Sequence, residues 1–391
     1  MKSTILKLTT AFIVTCSLNV QSANIDGFFG LDTVYFVNTE FATKEIYSVI
    51  GEVRSRGSIT DNLDYEFRLY GQKGISDYNE GYFDPTIAKV TWSNSSFRYD
   101  VGYDLVYWGV TEGINIVNVI NQRDQIRDYF LKQGLGQSMI SASYLGDDIN
   151  LETYILPKFE ELNFGGTRRP WGLGVPVDGS QSTYESDKGK RHIDYAARIS
   201  GMIGELEYGI IYFDGTYKKS IYRLDESTGF LVPHYILGKT VGLDAQYISG
   251  SNIYKLEIAH FTPNSFKSYV SFAVGVERVL ETSLNGSGES TVYFEYYYDT
   301  RQNDNSVAFQ NDLFIAYKHS TYNAYDIETT IGGIVDVEFG GLIGTFNMTG
   351  KISRNLKLEF ELIYFNSIKT QDALFYSKHF DQASLTLSLH Y

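Results

Sequence analysis

One cysteine, Cys16, stands in the whole chain, close to its start. A mature form cut after Ser22 has none. That excludes a disulfide framework, a thiol nucleophile and a cysteine-ligated metal. Proline is scarce, with six residues. Beyond the N-terminus no run reaches the ~18 consecutive apolar residues of a spanning helix. Positive charge is in the minority: 33 Lys and Arg stand against 47 Asp and Glu, a net −14. Nucleic acid is therefore not an expected partner. Catalytic motifs are missing as well. There is no G-x-S-x-G and no H-E-x-x-H. None of His192, His234, His260, His319, His379 and His390 falls in a recognised Ser- or Asp-bearing motif. No enzyme activity, metal or cofactor is expected.

Aromatics and glycine are abundant: 32 Tyr, 25 Phe and 36 Gly. The N-terminus reads as an export signal. Lys2 and Lys7 precede an apolar stretch from Leu8 to Val20, and Val20-Gln21-Ser22 offers small residues for cleavage before Ala23. The stretch is too short, and wrongly flanked, for a retained anchor helix. Thr15 is a poor neighbour for a lipidated Cys16. The expected organisation is a signal peptide, 1–22, followed by one domain, 23–391, with no N-terminal plug.

The period of that domain is two almost everywhere. Leu63, Tyr65, Phe67 and Leu69 alternate with Asp64, Glu66, Arg68 and Tyr70; Phe97, Tyr99, Val101 and Tyr103 alternate with Arg98, Asp100, Gly102 and Asp104. Successive side chains of a strand point to opposite faces, so each segment has an apolar and a polar face. Such segments fall near 24–36, 45–59, 62–73, 85–93, 96–105, 138–146, 149–157, 193–204, 205–214, 235–249, 252–262, 267–280, 290–301, 307–320, 324–335, 341–352, 355–366 and 382–391. The last ends on Tyr391, in phase with Ala383, Leu385, Leu387 and Leu389, like the C-terminal assembly signal of outer-membrane barrels.

A soluble sandwich also alternates. Strands of ~9–12 residues, aromatic-rich strand ends and unequal connections favour an all-β, antiparallel transmembrane barrel in the outer membrane. Connections such as Thr60-Asp61, Asn94-Ser95, Asp147-Asp148 and Gly250-Ser251 are tiny and read as periplasmic turns. Those at 74–84, 106–137, 158–192, 215–234 and 367–381 are long and read as outer loops. The prolines sit in or beside outer loops, as a residue without a ladder donor should. Segment 281–289 is long for a turn, and 339–341 is Gly-rich, so the strand count is 18 with 16 as the alternative.

Charge on the polar faces is unevenly placed. Arg54, Arg56, Arg68, Arg98 and Arg198 occupy the first half, and Glu257, Glu277, Glu295, Glu328, Glu359 and Glu361 the second, diluted by Lys255, Lys318 and Lys357. Facing walls of opposite sign would set a transverse field across a water-filled pore. Alternatively, each Arg pairs with a neighbour such as Glu52, Asp64, Glu66, Asp100 or Asp104. Arg54, Arg56, Arg68, Arg98, Arg198, Glu295, Glu359 and Glu361 are the expected pore lining.

The third outer loop, 106–137, is too apolar to float free. Ile114, Ile116, Val117, Val119 and Ile120 lie among Asn115, Asn118 and Asn121. It is expected to fold inward and narrow the lumen, with Trp108, Glu112, Arg123, Asp124 and Arg127 at the constriction. Arg123 and Arg127 would share one face of a short helix. The alternative is a loop over the mouth or at a subunit contact. Loop 158–192, with Arg168, Arg169 and Trp171, is either a vestibule cap or a solvated surface.

The run from Val101 through Trp108-Gly109-Val110-Thr111-Glu112, with Asn118-Val119-Ile120-Asn121-Gln122, Leu135-Gly136-Gln137 and the stretch from Leu156-Pro157 to Arg169, resembles a group of poorly characterised porin-like outer-membrane proteins of Gram-negative bacteria. The likeness covers about 101–172. It implies a porin-type fold and no particular substrate. Asn118 stands where that group leads one to expect an acidic residue, so one constriction charge is missing. The expected function is passive diffusion of small hydrophilic solutes, with outer-membrane lipid as surroundings and a homotrimer by analogy. The alternatives are a closed barrel acting as receptor or adhesin through loops 158–192 and 215–234, and, behind it, a barrel hydrolase.

Overall fold

Alternating segments have two faces to satisfy, and a closed barrel satisfies both: one face meets lipid, the other the interior, and no strand edge is left unpaired. The computed structural model describes residues 22–39, 43–75, 81–127, 133–169, 173, 175–280, 288–301 and 307–391. The expected export signal up to residue 21, residues 281–287 of the segment 281–289, and Trp171 lie outside the described residues.

The strands in chain order are β1 (Ser22–Phe36), β2 (Glu45–Thr60), β3 (Leu63–Gly74), β4 (Gly81–Ser93), β5 (Phe97–Asp104), β6 (Gln137–Leu145), β7 (Ile149–Leu156), β8 (Thr183–Tyr184), β9 (Asp194–Ile203), β10 (Leu206–Thr216), β11 (Ile221–Asp225), β12 (Phe230–Tyr235), β13 (Leu237–Ser249), β14 (Asn252–Pro263), β15 (Tyr269–Leu280), β16 (Gly288–Asp299), β17 (Asn311–Thr321), β18 (Glu328–Asp336), β19 (Leu342–Lys351), β20 (Leu356–Asn366) and β21 (Gln382–His390). Eighteen of them form one antiparallel sheet. It closes on itself because Phe28 of β1 faces both Glu52 of β2 and His390 of β21. Beyond β21, the Tyr391 N–H donates to the Gly27 carbonyl at 3.1 Å. The count of 18 is the one expected, and 16 is excluded.

Outward positions carry apolar side chains. Phe29 is 66% exposed and Val101 56%, whereas Glu52 and Asp100, on the inner faces of β2 and β5, are 2% and 4% exposed. One end of the barrel has short turns, such as 61–62, 146–148, 204–205 and 250–251; the other carries the long loops. Among the described residues no helix is long and apolar enough to cross a membrane, which says nothing against strands.

Two features depart from expectation. Pro85 falls inside β4 rather than at its first residue. It sits where the ladder slips: Arg68 faces Ile87 but Tyr70 faces Asp84. Such irregularities are where strands accept proline. Second, the long loops hold structure of their own. β11 and β12 form a hairpin, and β12 pairs in parallel with β8, which joins the loops after β7 and β10 into one small sheet. Beneath it Phe164 and Val177 are buried, with Leu162, Tyr222 and Leu231 packed around them.

Candidate functional site

The site is built on the third long loop, which joins β5 to β6 and folds into the barrel. Trp108, Val117 and Ile120 of the loop are buried in one cluster with the inner-wall residues Met139, Tyr154, Leu156, Ala196, Ile211, Phe213 and Ala259. Further along, Ile114 packs against a second wall cluster that includes Phe36, Ile46, Ile334 and Phe365. Gly113 passes so near the wall that a Cβ there would meet the Phe314 ring at 2.6 Å. The loop therefore touches the wall on two distinct sides.

Packing alone would leave its backbone N–H groups unpaired, and a buried unpaired donor is costly. Two wall carboxylates meet them. Glu257 of β14, fully buried, accepts Val110 N at 2.7 Å and Thr111 N at 2.9 Å on one oxygen, and Ile116 N at 2.7 Å and Val117 N at 3.2 Å on the other. Glu295 of β16 accepts Glu112 N at 2.8 Å and Gly113 N at 2.9 Å, and the Tyr297 hydroxyl also donates to it. Tyr297 in turn accepts Ile114 N at 2.8 Å. Successive N–H groups curled around an anion form a concave anion site, here filled by the protein's own side chains. A buried carboxylate is tolerable because it is so fully hydrogen-bonded.

This corrects the reading of Glu257 and Glu295 as part of an acidic wall facing water. Glu295 is 1% exposed, beneath the loop. Its charge is spent on the loop backbone rather than on an open lumen.

The second part of the loop is not a helix over its described residues. Arg123 and Gly134 form an antiparallel bridge, Asp124 N donates to Gln133 O at 2.9 Å, and Leu135 N donates to Gln122 O at 2.7 Å. The loop doubles back because Asp124 is captured by the wall. Its carboxylate accepts the Tyr82 hydroxyl at 2.8 Å and Arg127 N at 3.2 Å, and the residue is fully buried. Arg127 points the same way, with its guanidinium 4.2 Å from the Tyr70 ring centre and 3.7 Å from Glu52. Arg123 reaches the Asn115 carbonyl at 3.3 Å. Of the five loop residues named from sequence, Trp108, Asp124 and Arg127 anchor the loop. Glu112 projects from the loop into the barrel interior, and its carboxylate meets Lys255 at 3.2 Å.

The arginines lie on inner faces as expected, but the paired reading describes most of them. Arg54 meets Glu52 at 2.5 Å, Arg68 meets the other Glu52 oxygen at 3.1 Å, and Arg98 meets Asp100 at 2.8 Å. Arg198 holds Asp244 through two bonds, 2.6 and 2.7 Å. It also lies 5.9 Å from the Trp108 ring. A Cβ on Gly209 would fall 2.1 Å from the Arg198 guanidinium, so glycine leaves the space that Arg198 fills. Arg56 is exposed and opposes Glu66 across the ladder. Glu359 and Glu361 are half-buried on β20, with Lys357 at 4.0 Å from Glu359.

Between the loop and the short-turn end lies a cavity of about 990 Å³. Its lining includes Arg98, Glu112, Glu152, Arg198, Asp244 and Lys255. Toward the other end Lys218 tucks under the loops, with Nζ 3.3 Å from Gln137 Oε1 and 4.6 Å from the Phe159 ring centre. Burial pulls its amine down to about 8, against the opposing pull of Asp194 and Glu160.

No family model matches the sequence, and no curated protein matches it either. Solved structures do match in shape. Wzi of Escherichia coli, an outer-membrane protein involved in group 1 capsule assembly and described as a carbohydrate-binding β-barrel, aligns with a TM-score of 0.56 at 12% identity, over 95% of this chain and 86% of that one. OccK2 of Pseudomonas aeruginosa, in complex with glucuronate, aligns at 0.54 and 10%, over 95% and 98%. A BenF-like porin of Pseudomonas fluorescens aligns at 0.54 and 9%, over 95% and 99%. The fold is that of outer-membrane porin-type barrels. At such identities the likeness is one of fold.

Sequence reasoning located the loop but missed what holds it. Thr111, Tyr82, Tyr70 and Tyr297, with Asp244 as partner of Arg198, were not singled out. For the tyrosines and Asp244 the one sequence signal was an inward-facing place on a strand; Thr111 lies in the loop itself.

Proposed function

We propose that this protein is an outer-membrane channel through which small hydrophilic solutes diffuse passively, narrowed by the third long loop. The observation that carries this reading is the double clasp of the loop. Glu257 and Glu295 hold it against the inner wall, above a polar cavity, where a sealed core would need apolar filling. In this reading residues 1–22 direct export, the short turns face the periplasm and the long loops face outward. Glu112 and Arg123, with Arg54, Arg56, Arg68, Arg98, Arg198, Glu359 and Glu361, border the water path; Trp108, Asp124, Arg127 and Glu295 set its width by fixing the loop. Assembly as a homotrimer accords with this reading.

Swelling of liposomes carrying the refolded protein tests it. Entry of arabinose-sized sugars, falling with solute size, supports the channel; no entry of any sugar overturns it.

A second reading has one observation in its favour. The small sheet of β8, β11 and β12 is built from two of the long loops, with Phe159 and Tyr235 buried. A barrel closed by those loops would recognise a ligand outside rather than conduct it, as a receptor or adhesin. Wzi, a carbohydrate-binding barrel, shows that this kind of fold accommodates binding. Sugar retention on the protein without liposome swelling would favour that reading.

A further inference from the structure

The cavity beneath the third loop is acid-rich. Among its described lining residues are nine carboxylates and four cations. All four cations are already matched. Lys89 meets Asp104 at 2.7 Å and Asp100 at 3.9 Å, and Arg98 meets Asp100 at 2.8 Å. Arg198 meets Asp244 at 2.6 Å, and Lys255 meets Glu277 at 2.6 Å and Glu112 at 3.2 Å. The remaining carboxylates include Glu152 and Glu207. Glu152 accepts the Tyr154 hydroxyl at 3.1 Å, and Glu207 accepts the Gln246 amide at 2.6 Å. Both donors are neutral. Neither carboxylate has a cation within ion-pair distance among the described residues.

We propose that this cavity makes the channel cation-selective, with Glu152 and Glu207 as specificity-determining residues for small cationic solutes. The inference rests on the channel reading above. Three physical points support it. Neutralised pairs contribute only a short-range dipole, so the field in the cavity is set by the carboxylates left over. A low-dielectric wall focuses that field into the water it encloses. Rings of excess carboxylate raise the local concentration of cations and deplete anions, which is how charged pores discriminate. The geometry supplies an independent reason for placing selectivity at this level. Glu112, held within the clasp by its backbone N–H, sends its side chain into the same cavity, where it joins Lys255. A solute passing the loop on this side therefore moves directly among these carboxylates. The arginines do not reverse the sign, because Arg98 and Arg198 are each held by a carboxylate of their own.

Reversal potentials of the full-length refolded protein in planar bilayers, under a tenfold KCl gradient at neutral pH, test the proposal. The expected result is a K⁺ over Cl⁻ permeability ratio of about three or more at low salt, falling toward one as molar salt screens the wall. The double variant Glu152→Gln/Glu207→Gln should still conduct, with that ratio at least roughly halved. Selectivity for Cl⁻, a ratio of one in dilute salt, or an unchanged ratio in a conducting double variant would overturn the proposal while leaving the channel intact. Absence of any conductance would overturn the channel reading, and this inference with it. If the double variant does not refold, Glu152→Gln and Glu207→Gln are measured singly, and each should lower the ratio.

Discussion

The carboxylate of Glu257 and the backbone N–H of Ile116 meet at 2.7 Å, although 141 residues separate them. That contact is one of several that one carboxylate makes to the same loop. Glutamine is the same size but can accept on one oxygen only, and its amide would thrust a donor at two N–H groups. Glu257→Gln is therefore expected to release residues 110–117 from the wall while the strands stay paired. Hydrogen bonds to a charged acceptor contribute about 1.5–3 kcal/mol each, so the loop should lose at least several kcal/mol of local stability. Limited proteolysis should cut the variant within 110–127 under conditions where the parent resists, and circular dichroism should show the same strand content.

Arg198 and Asp244 form a two-bond fork, which a lysine cannot reproduce. Arg198→Lys should cost roughly 1–3 kcal/mol. Gly209→Ala should cost a similar amount by a different route, since the new Cβ would occupy the guanidinium's place. The two changes act on one contact, so the double variant should be less destabilised than the sum of the singles. Denaturant unfolding in detergent of all four proteins checks this.

Burial holds the Lys218 amine below the usual lysine range. Its folded value lies near 8, below the ordinary 10.5. The unfolded chain thus binds more protons between those values, and stability rises with pH through that window. At pH 7 the charged amine costs stability, and above the ordinary lysine value it does not. Lys218→Met should therefore raise the thermal midpoint at pH 7, with the gain shrinking toward pH 10.5. A gain independent of pH would argue that methionine merely packs better.

Tyr82 gives its hydroxyl to the buried Asp124 at 2.8 Å. Tyr82→Phe removes that donor without changing the ring. It should cost about 1–3 kcal/mol and loosen the doubled-back part of the loop. Faster amide hydrogen exchange at Asp124 and Leu135, whose N–H groups donate to Gln133 and Gln122, would report it.

The strands were legible because their signal is local. Tyr65, Phe67 and Leu69 against Asp64, Glu66 and Arg68 declare two faces within a few residues, and closure follows from needing both faces covered. The hairpin of β11 and β12 was less visible, although its turn carries a readable pair. Asp225 accepts Ser227 N at 2.9 Å, and Gly229 takes a φ of 72°. Pro233 had argued against a strand there; away from the barrel wall, the small sheet accepts it. The inward loop was predictable from its isoleucines and valines. The clasp was not, because Glu257 and Glu295 look like any lumen-facing glutamates until the loop lies against them. The expected Arg123–Arg127 helix failed for the same reason: Asp124 is buried by Tyr82, 42 residues away, and no local pattern reports that.

Single-channel conductance of the parent, compared with a variant lacking residues 113–131, tests the central claim most directly. A loop clasped inside an open barrel predicts measurable conductance in the parent and a several-fold larger one after deletion. Silence in both proteins, each shown to be folded by its strand content, would contradict it.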